Sequence, residues 1–157
     1  MLPLSVTSYQ VYLSIHILCA VLWVGGGIIL TVLAIRTQRS RSPERLAELA
    51  GDIEWIGLRI FTPLSILLVI FGFVLVSKGH WAWHFWLIWG ITFWGLSFLT
   101  GAGFLGPESG RLRKRMAELG PTAPEVQMRI ARILLVARID AFFLALVVLD
   151  MALKPGA

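Results

Sequence analysis

An all-α membrane protein, built as an antiparallel bundle of four transmembrane helices, is the fold class this sequence predicts. Three observations carry the prediction. The 157-residue chain is 57% hydrophobic and only 15% charged, with a mean hydropathy of +0.80, well above that of a soluble domain. Four apolar runs, roughly 10–35, 56–77, 83–105 and 133–153, each approach or exceed the ~20 residues a helix needs to cross the hydrocarbon core. None of these runs alternates in the way the strands of a membrane barrel do. Together they occupy most of the chain, so one membrane domain is expected over 1–157, with no soluble catalytic domain.

The first helix is expected over about 10–35. Its apolar run is too long for a signal peptide, no basic residue precedes it, and no small-residue cleavage site comes before the following arginines; it reads as a retained helix. The single cysteine, Cys19, lies within it, which excludes an intrachain disulfide. The second helix is expected over about 43–77. Ser42-Pro43-Glu44 reads as an N-cap followed by proline at the first helical position. Leu46, Leu49, Ile53 and Ile56 then recur at helical spacing, so this helix begins in the cytoplasm and runs on into the bilayer. Pro63 falls inside it and predicts a bend, or a carbonyl left free for a neighbour.

The third helix is expected over about 83–105. Gly106-Pro107 is read as its end, followed by a short basic segment, Arg111–Leu119, that Gly120-Pro121 closes. Ser97, Gly101, Ala102 and Gly106 would allow another helix to approach closely, within the bundle or from another subunit. Trp81, Trp83 and Trp86 sit where an interfacial aromatic belt belongs; a ligand-stacking cage is the other reading. The fourth helix is expected over about 122–153, opened by a capping box from Thr122 to Glu125 and leaving the cytoplasm through Arg129 and Arg132.

Charge distribution orients the bundle. Arg36, Arg39, Arg41 and Arg45 lie between the first two helices. Arg111, Arg113, Lys114, Arg115, Arg129 and Arg132 lie between the last two or just inside the fourth, against only Lys78 and Lys154 on the other side. Ten against two is a positive-inside signal, with both termini outside. These basic residues mark topology and contact with anionic lipid at the cytoplasmic face; they do not form a nucleic-acid surface.

His16 is the one histidine deep inside an apolar run, since His84 stands at the very start of another. An ionisable group at that depth costs free energy and calls for a partner or a function. The 1.5 Å rise per residue puts it roughly 8 Å below the outer end of its helix. His80 and His84 lie on the same side, in the outer loop or at the top of the third helix, and Asp150 and Met151 reach a comparable depth. Cys19, Ala20 and Trp23 continue the His16 face. Three readings stay open. His16 is an axial haem ligand, opposite His84, His80 or a sulfur; or His16, Cys19, Met151 and an outer histidine bind Cu(I), which suits soft sulfur with imidazole; or His16 only hydrogen-bonds a neighbouring helix. On the cytoplasmic side Glu54, Arg59, Arg138 and Asp140 form a second polar group, in which Glu54 and Arg59 are the expected cross-helix partners of Arg138 and Asp140.

No Ser-His-Asp set, carboxylate pair, phosphate loop or zinc spacing is present in the sequence. Any enzymatic chemistry would therefore be borne by a cofactor. The alternative in a different class is a non-catalytic accessory or assembly subunit, joined to a larger complex through the small-residue face of the third helix.

His16-x6-Trp23-x-Gly25-Gly26 resembles the first helix of small bacterial membrane proteins that include the CopD-type copper-resistance proteins and the HemJ-type protoporphyrinogen oxidases. Together with Glu54-Trp55-Ile-Gly-Leu-Arg59-Ile-Phe-x-Pro63, this pattern resembles an uncharacterised family of four-helix integral membrane proteins over essentially the whole chain. The HemJ resemblance implies a haem ligand at His16, although the lysine of that type's third helix has no counterpart in Phe85–Leu105. The expectation is a haem b protein of the bacterial inner membrane, acting in redox or haem handling with a membrane redox partner or as a homo-oligomer. Copper handling through His16 and Cys19 is the alternative that the CopD side implies.

Overall fold

The computed structural model describes residues 7–40 and 42–155, which form four long helices joined by short connections. They are α1 (Ser8–Arg39), α2 (Pro43–Lys78), α3 (Phe85–Leu119) and α4 (Pro124–Leu153). Arg41, counted above among the basic residues, lies outside the described residues.

α1 begins earlier than its apolar run because Thr7 and Gln10 cap it. Thr7 Oγ1 accepts from the Gln10 amide at 3.3 Å, and Gln10 Oε1 accepts from the Thr7 amide at 2.9 Å. α2 starts at Pro43 with Ser42 as its N-cap residue. The capping box expected at the start of α4 does not form: the N-cap position is Ala123 and no side chain caps it. Glu125 is instead taken by Arg129 at 3.2 Å and Arg115 at 3.6 Å, since two guanidinium groups outcompete a backbone amide for a carboxylate.

The expected end of the third helix at Gly106-Pro107 is also overturned: α3 continues to Leu119. The reason lies one turn earlier. Residues Gly101–Leu105 form a π turn, in which the Gly106 amide reaches back five residues to the Gly101 carbonyl. A proline in an ordinary helix lacks this donor and its ring collides with the carbonyl four residues before it; widening the preceding turn relieves the collision. α2 repeats the device, with a π turn at Gly57–Phe61 directly before Thr62-Pro63. A third π turn, Val21–Gly25, interrupts α1 without a proline. α3 ends at Gly120, whose φ of +81° suits glycine alone.

Ser8–Ala20 of α1 packs on Thr62–Lys78 of α2, and Phe85–Thr100 of α3 packs on α4. At the basic end all four helices meet: the last half of α1 reaches α2 and α4, and the extension of α3 packs on α2 and α4. A core of Ala50, Leu112, Met116, Val126, Ile130 and Leu134 fills that end. The other half is held by a smaller cluster, Cys19, Trp23, Val24, Leu68 and Leu144. Beyond this cluster, away from the basic end, a cavity opens between the α1–α2 pair and the α3–α4 pair.

α1, α2 and α3 are long and apolar enough to cross a membrane. α4 matches them in length, but Arg138, Asp140 and Asp150 interrupt its apolar stretch. Large apolar side chains are exposed on all four helices, among them Val21, Ile70, Leu99 and Phe142. A water-facing surface does not carry apolar residues at that density, whereas a lipid-facing one does.

Candidate functional site

The gap between the two helix pairs is a cavity of about 750 Å³, within the size range of ligand pockets. Each helix contributes a wall: His16 from α1, Leu68 and Gly72 from α2, Trp86 and Trp94 from α3, and Leu144 and Met151 from α4. The lining is almost wholly apolar, which makes its few polar atoms informative.

His16 is held against α2. Its Nδ1 lies 2.8 Å from the Leu68 carbonyl oxygen. A carbonyl only accepts, so the neutral ring carries its proton on Nδ1 and keeps a lone pair on Nε2. Gly72, one turn further along α2, makes the approach possible: a Cβ there would stand 3.2 Å from His16 Cε1. On the opposite side Met151 depends on a glycine in the same way, because its methyl group fills the space where a Cβ on Gly90 would be.

The mouth of the cavity, at the end away from the basic residues, is aromatic and cationic. Trp81 and Trp86 meet edge to face at 5.8 Å, and Lys154 Nζ lies 4.6 Å and 5.5 Å from their ring centroids. The expected belt of Trp81, Trp83 and Trp86 is therefore divided. Trp83 is 65% exposed, but Trp86 is 5% exposed and faces the cavity with Trp81. Two buried polar atoms near this mouth, Trp86 Nε1 and Asp150 Oδ2, have no hydrogen-bond partner among the described residues.

The other expected ligands are distributed unevenly. His80 lies in the 79–84 connection with φ +52°, and His84 is the N-cap residue of α3; neither lines the cavity. Cys19 is buried in the Trp23–Leu144 cluster and does not line it either. Trp23 does line it and forms part of its floor. Among the described residues no three His, Cys, Asp or Glu side chains gather as a metal site.

The second polar group, Glu54, Arg59, Arg138 and Asp140, does not assemble as expected. Glu54 pairs with Arg113 at 3.6 Å and lies against Gly110, whose missing side chain admits it. Arg59 stays over Trp55 of its own helix, 5.8 Å from the ring centroid, and Arg138 is exposed. Asp140 turns inward toward Ser97. Arg59 and Arg138 stand near the middle of α2 and α4, and neither forms an ion pair among the described residues.

A network that the sequence reading missed lies at the basic end. Glu108, 8% exposed, accepts from Arg129 and from Arg111, the latter at 3.3 Å, and Arg129 also reaches Glu125. Its hydrogen bonds to Glu108, then Glu125, push the Arg129 pKa further up. Reading Pro107 as a helix end hid Glu108 in a loop. The Glu108–Arg111 and Glu125–Arg129 spacings were the available signal.

No curated protein and no solved structure matches the chain. One family model does, over residues 10–155, under the description of a predicted integral membrane protein, and the chain accordingly belongs to that family, DUF2269, as an integral membrane protein in contact with the lipid bilayer.

Proposed function

We propose that the cavity between the helix pairs holds a haem b, with His16 Nε2 as its axial ligand. The observation that carries this reading is the hydrogen bond from His16 Nδ1 to the Leu68 carbonyl. A metal-ligating histidine ordinarily donates its second ring N–H to a carbonyl or carboxylate, which fixes the tautomer and strengthens the ligand. The resemblance of the first helix to the HemJ type points the same way.

The remaining residues fit the group. Met151, on another wall of the same cavity, offers the sulfur ligand expected from the sequence. Lys154 at the mouth supplies a cation for carboxylate substituents. The apolar lining excludes water and so favours a neutral over a charged iron environment. A bound haem supplies one-electron chemistry, which suits a redox or haem-handling component that works with a membrane partner. The copper reading loses its thiolate, since Cys19 is turned into the core. The accessory-subunit reading loses its docking face, since Ser97, Gly101, Ala102 and Gly106 line the interior.

In this proposal α4 is the fourth crossing of a bacterial cytoplasmic membrane, with both chain ends outside and anionic lipid against the basic end. The exposed apolar face of α4 and the ten-to-two charge asymmetry support it.

An oxidised-minus-reduced absorption spectrum of the purified protein, beside His16→Ala, tests the reading. A b-type spectrum lost in His16→Ala and shifted from low to high spin in Met151→Leu is the expected result. A colourless wild type after haem-sufficient expression would sink it, and a copper assay of the same preparation would then decide for or against the metal alternative.

A further inference from the structure

Beneath Trp23 and Leu144, which belong to both cavities, lies a second cavity of about 110 Å³ at the middle of the bundle. That volume is enough for several water molecules or a partly hydrated ion. The α2 and α3 π turns contribute to its wall through Gly57, Phe61, Gly101 and Ala102. Single π turns inside helices concentrate at functional sites.

The wall of this cavity is mostly apolar, and four of its hydroxyls are bonded in one direction. Thr31 Oγ1 donates to Gly27 O at 2.9 Å, Thr62 Oγ1 to Gly57 O at 2.9 Å, Ser65 Oγ to Thr62 O at 3.0 Å and Ser109 Oγ to Leu105 O at 2.7 Å. Each hydroxyl gives its proton to its own helix and keeps only lone pairs for other partners. Among the described residues Asp140, from α4, is the only titratable one that lines the cavity. No ion pair reaches it among the described residues. Ser97, 5% exposed, lies beside the carboxylate. It falls short of hydrogen-bond geometry, so its Oγ has no partner. Most of the wall is apolar, and its few polar atoms, acceptor oxygens with one carboxylate, are complementary to a positive charge, bare or carried in with water.

We propose that this inner cavity binds a small monovalent cation, a sodium ion or a proton, with the Asp140 carboxylate as its anionic ligand and the Ser97 hydroxyl as a neutral one. A single carboxylate balances one positive charge, which argues against a divalent ion. The proposal is independent of the haem reading, because it concerns different side chains.

The test is thermal unfolding of the detergent-purified protein in sodium chloride and in choline chloride at equal ionic strength, and across a pH series. A sodium site raises the wild-type Tm by roughly 3–5 °C per tenfold increase in sodium beyond saturation, with no effect of choline. The rise disappears in Asp140→Asn and is reduced in Ser97→Ala. A proton site instead gives a wild type that gains Tm on acidification, without sodium dependence, and an Asp140→Asn variant that does not. Should Asp140→Asn fail to fold, an undiminished sodium or acid response in Ser97→Ala overturns the proposal. Wild type and Asp140→Asn that respond alike to both ions overturn it as well.

Discussion

The basic half of the bundle and its opposite half use the same four helices, yet the first is packed shut and the second is open. At the basic end the extension of α3 wedges between α2 and α4, Val126 is fully buried, and buried Glu108 is tied to the half-buried Arg129 and the exposed Arg111. At the other end the two helix pairs diverge and leave about 750 Å³ between them, with His16 on one wall and Met151 on another. The difference teaches where this protein keeps stability and where it keeps room. Close packing and paired charges concentrate at the basic end, and the cavity is walled by aliphatic side chains and large aromatic rings, with Gly72 and Gly90 making room for His16 and Met151.

Truncation experiments break or sharpen this contrast. The largest loss of stability is expected from Ile130→Ala or Leu112→Ala in the basic core, about 2–5 kcal/mol each, measured by reversible unfolding in mixed micelles. The same truncation at Leu13, 37% exposed on the open side, should cost well under half as much. Equal losses would mean that the open half is as tightly packed as the closed one.

Gly72→Val comes next, because its branched side chain would meet the His16 ring and break the hydrogen bond to Leu68. Its expected readout is loss of the b-type spectrum with the basic end still folded. An unchanged spectrum would separate cofactor binding from the orientation of His16. Gly90→Ala is a milder probe of the opposite wall, since it displaces the Met151 methyl but leaves His16 untouched. A change of spin state without loss of pigment is expected there. The smallest effect is that of Thr7→Ala, which removes an exposed cap from α1 and should cost about 0.5–2 kcal/mol, again by unfolding in mixed micelles.

Much of the architecture was legible because hydrophobic length and charge placement are local properties. Four apolar runs mark four helices, and Ser42-Pro43 marks the start of α2. The failures came where a local signal has two structural solutions. Gly106-Pro107 ends a helix in isolation, but a π turn before it lets the helix continue. Thr122 and Glu125 have capping-box spacing, but Arg115 and Arg129 claim the carboxylate.

The candidate site divides along the same line. The sequence by itself singled out His16, because an imidazole inside a membrane-length apolar run is conspicuous in any fold. It also named Met151, Trp23 and Asp140 as chemically able residues, without saying which of them share a space. Tertiary structure alone decided that Met151 shares the larger cavity with His16 while Cys19, His80 and His84 do not line it, and that Asp140 faces a second, smaller cavity together with several hydroxyls. The physical reason is that a helix's face is set by its partners. Small shifts of helical phase, here introduced by π turns at Val21–Gly25, Gly57–Phe61 and Gly101–Leu105, rotate every residue beyond them, and no pattern of residue types along one helix records where the next helix stands.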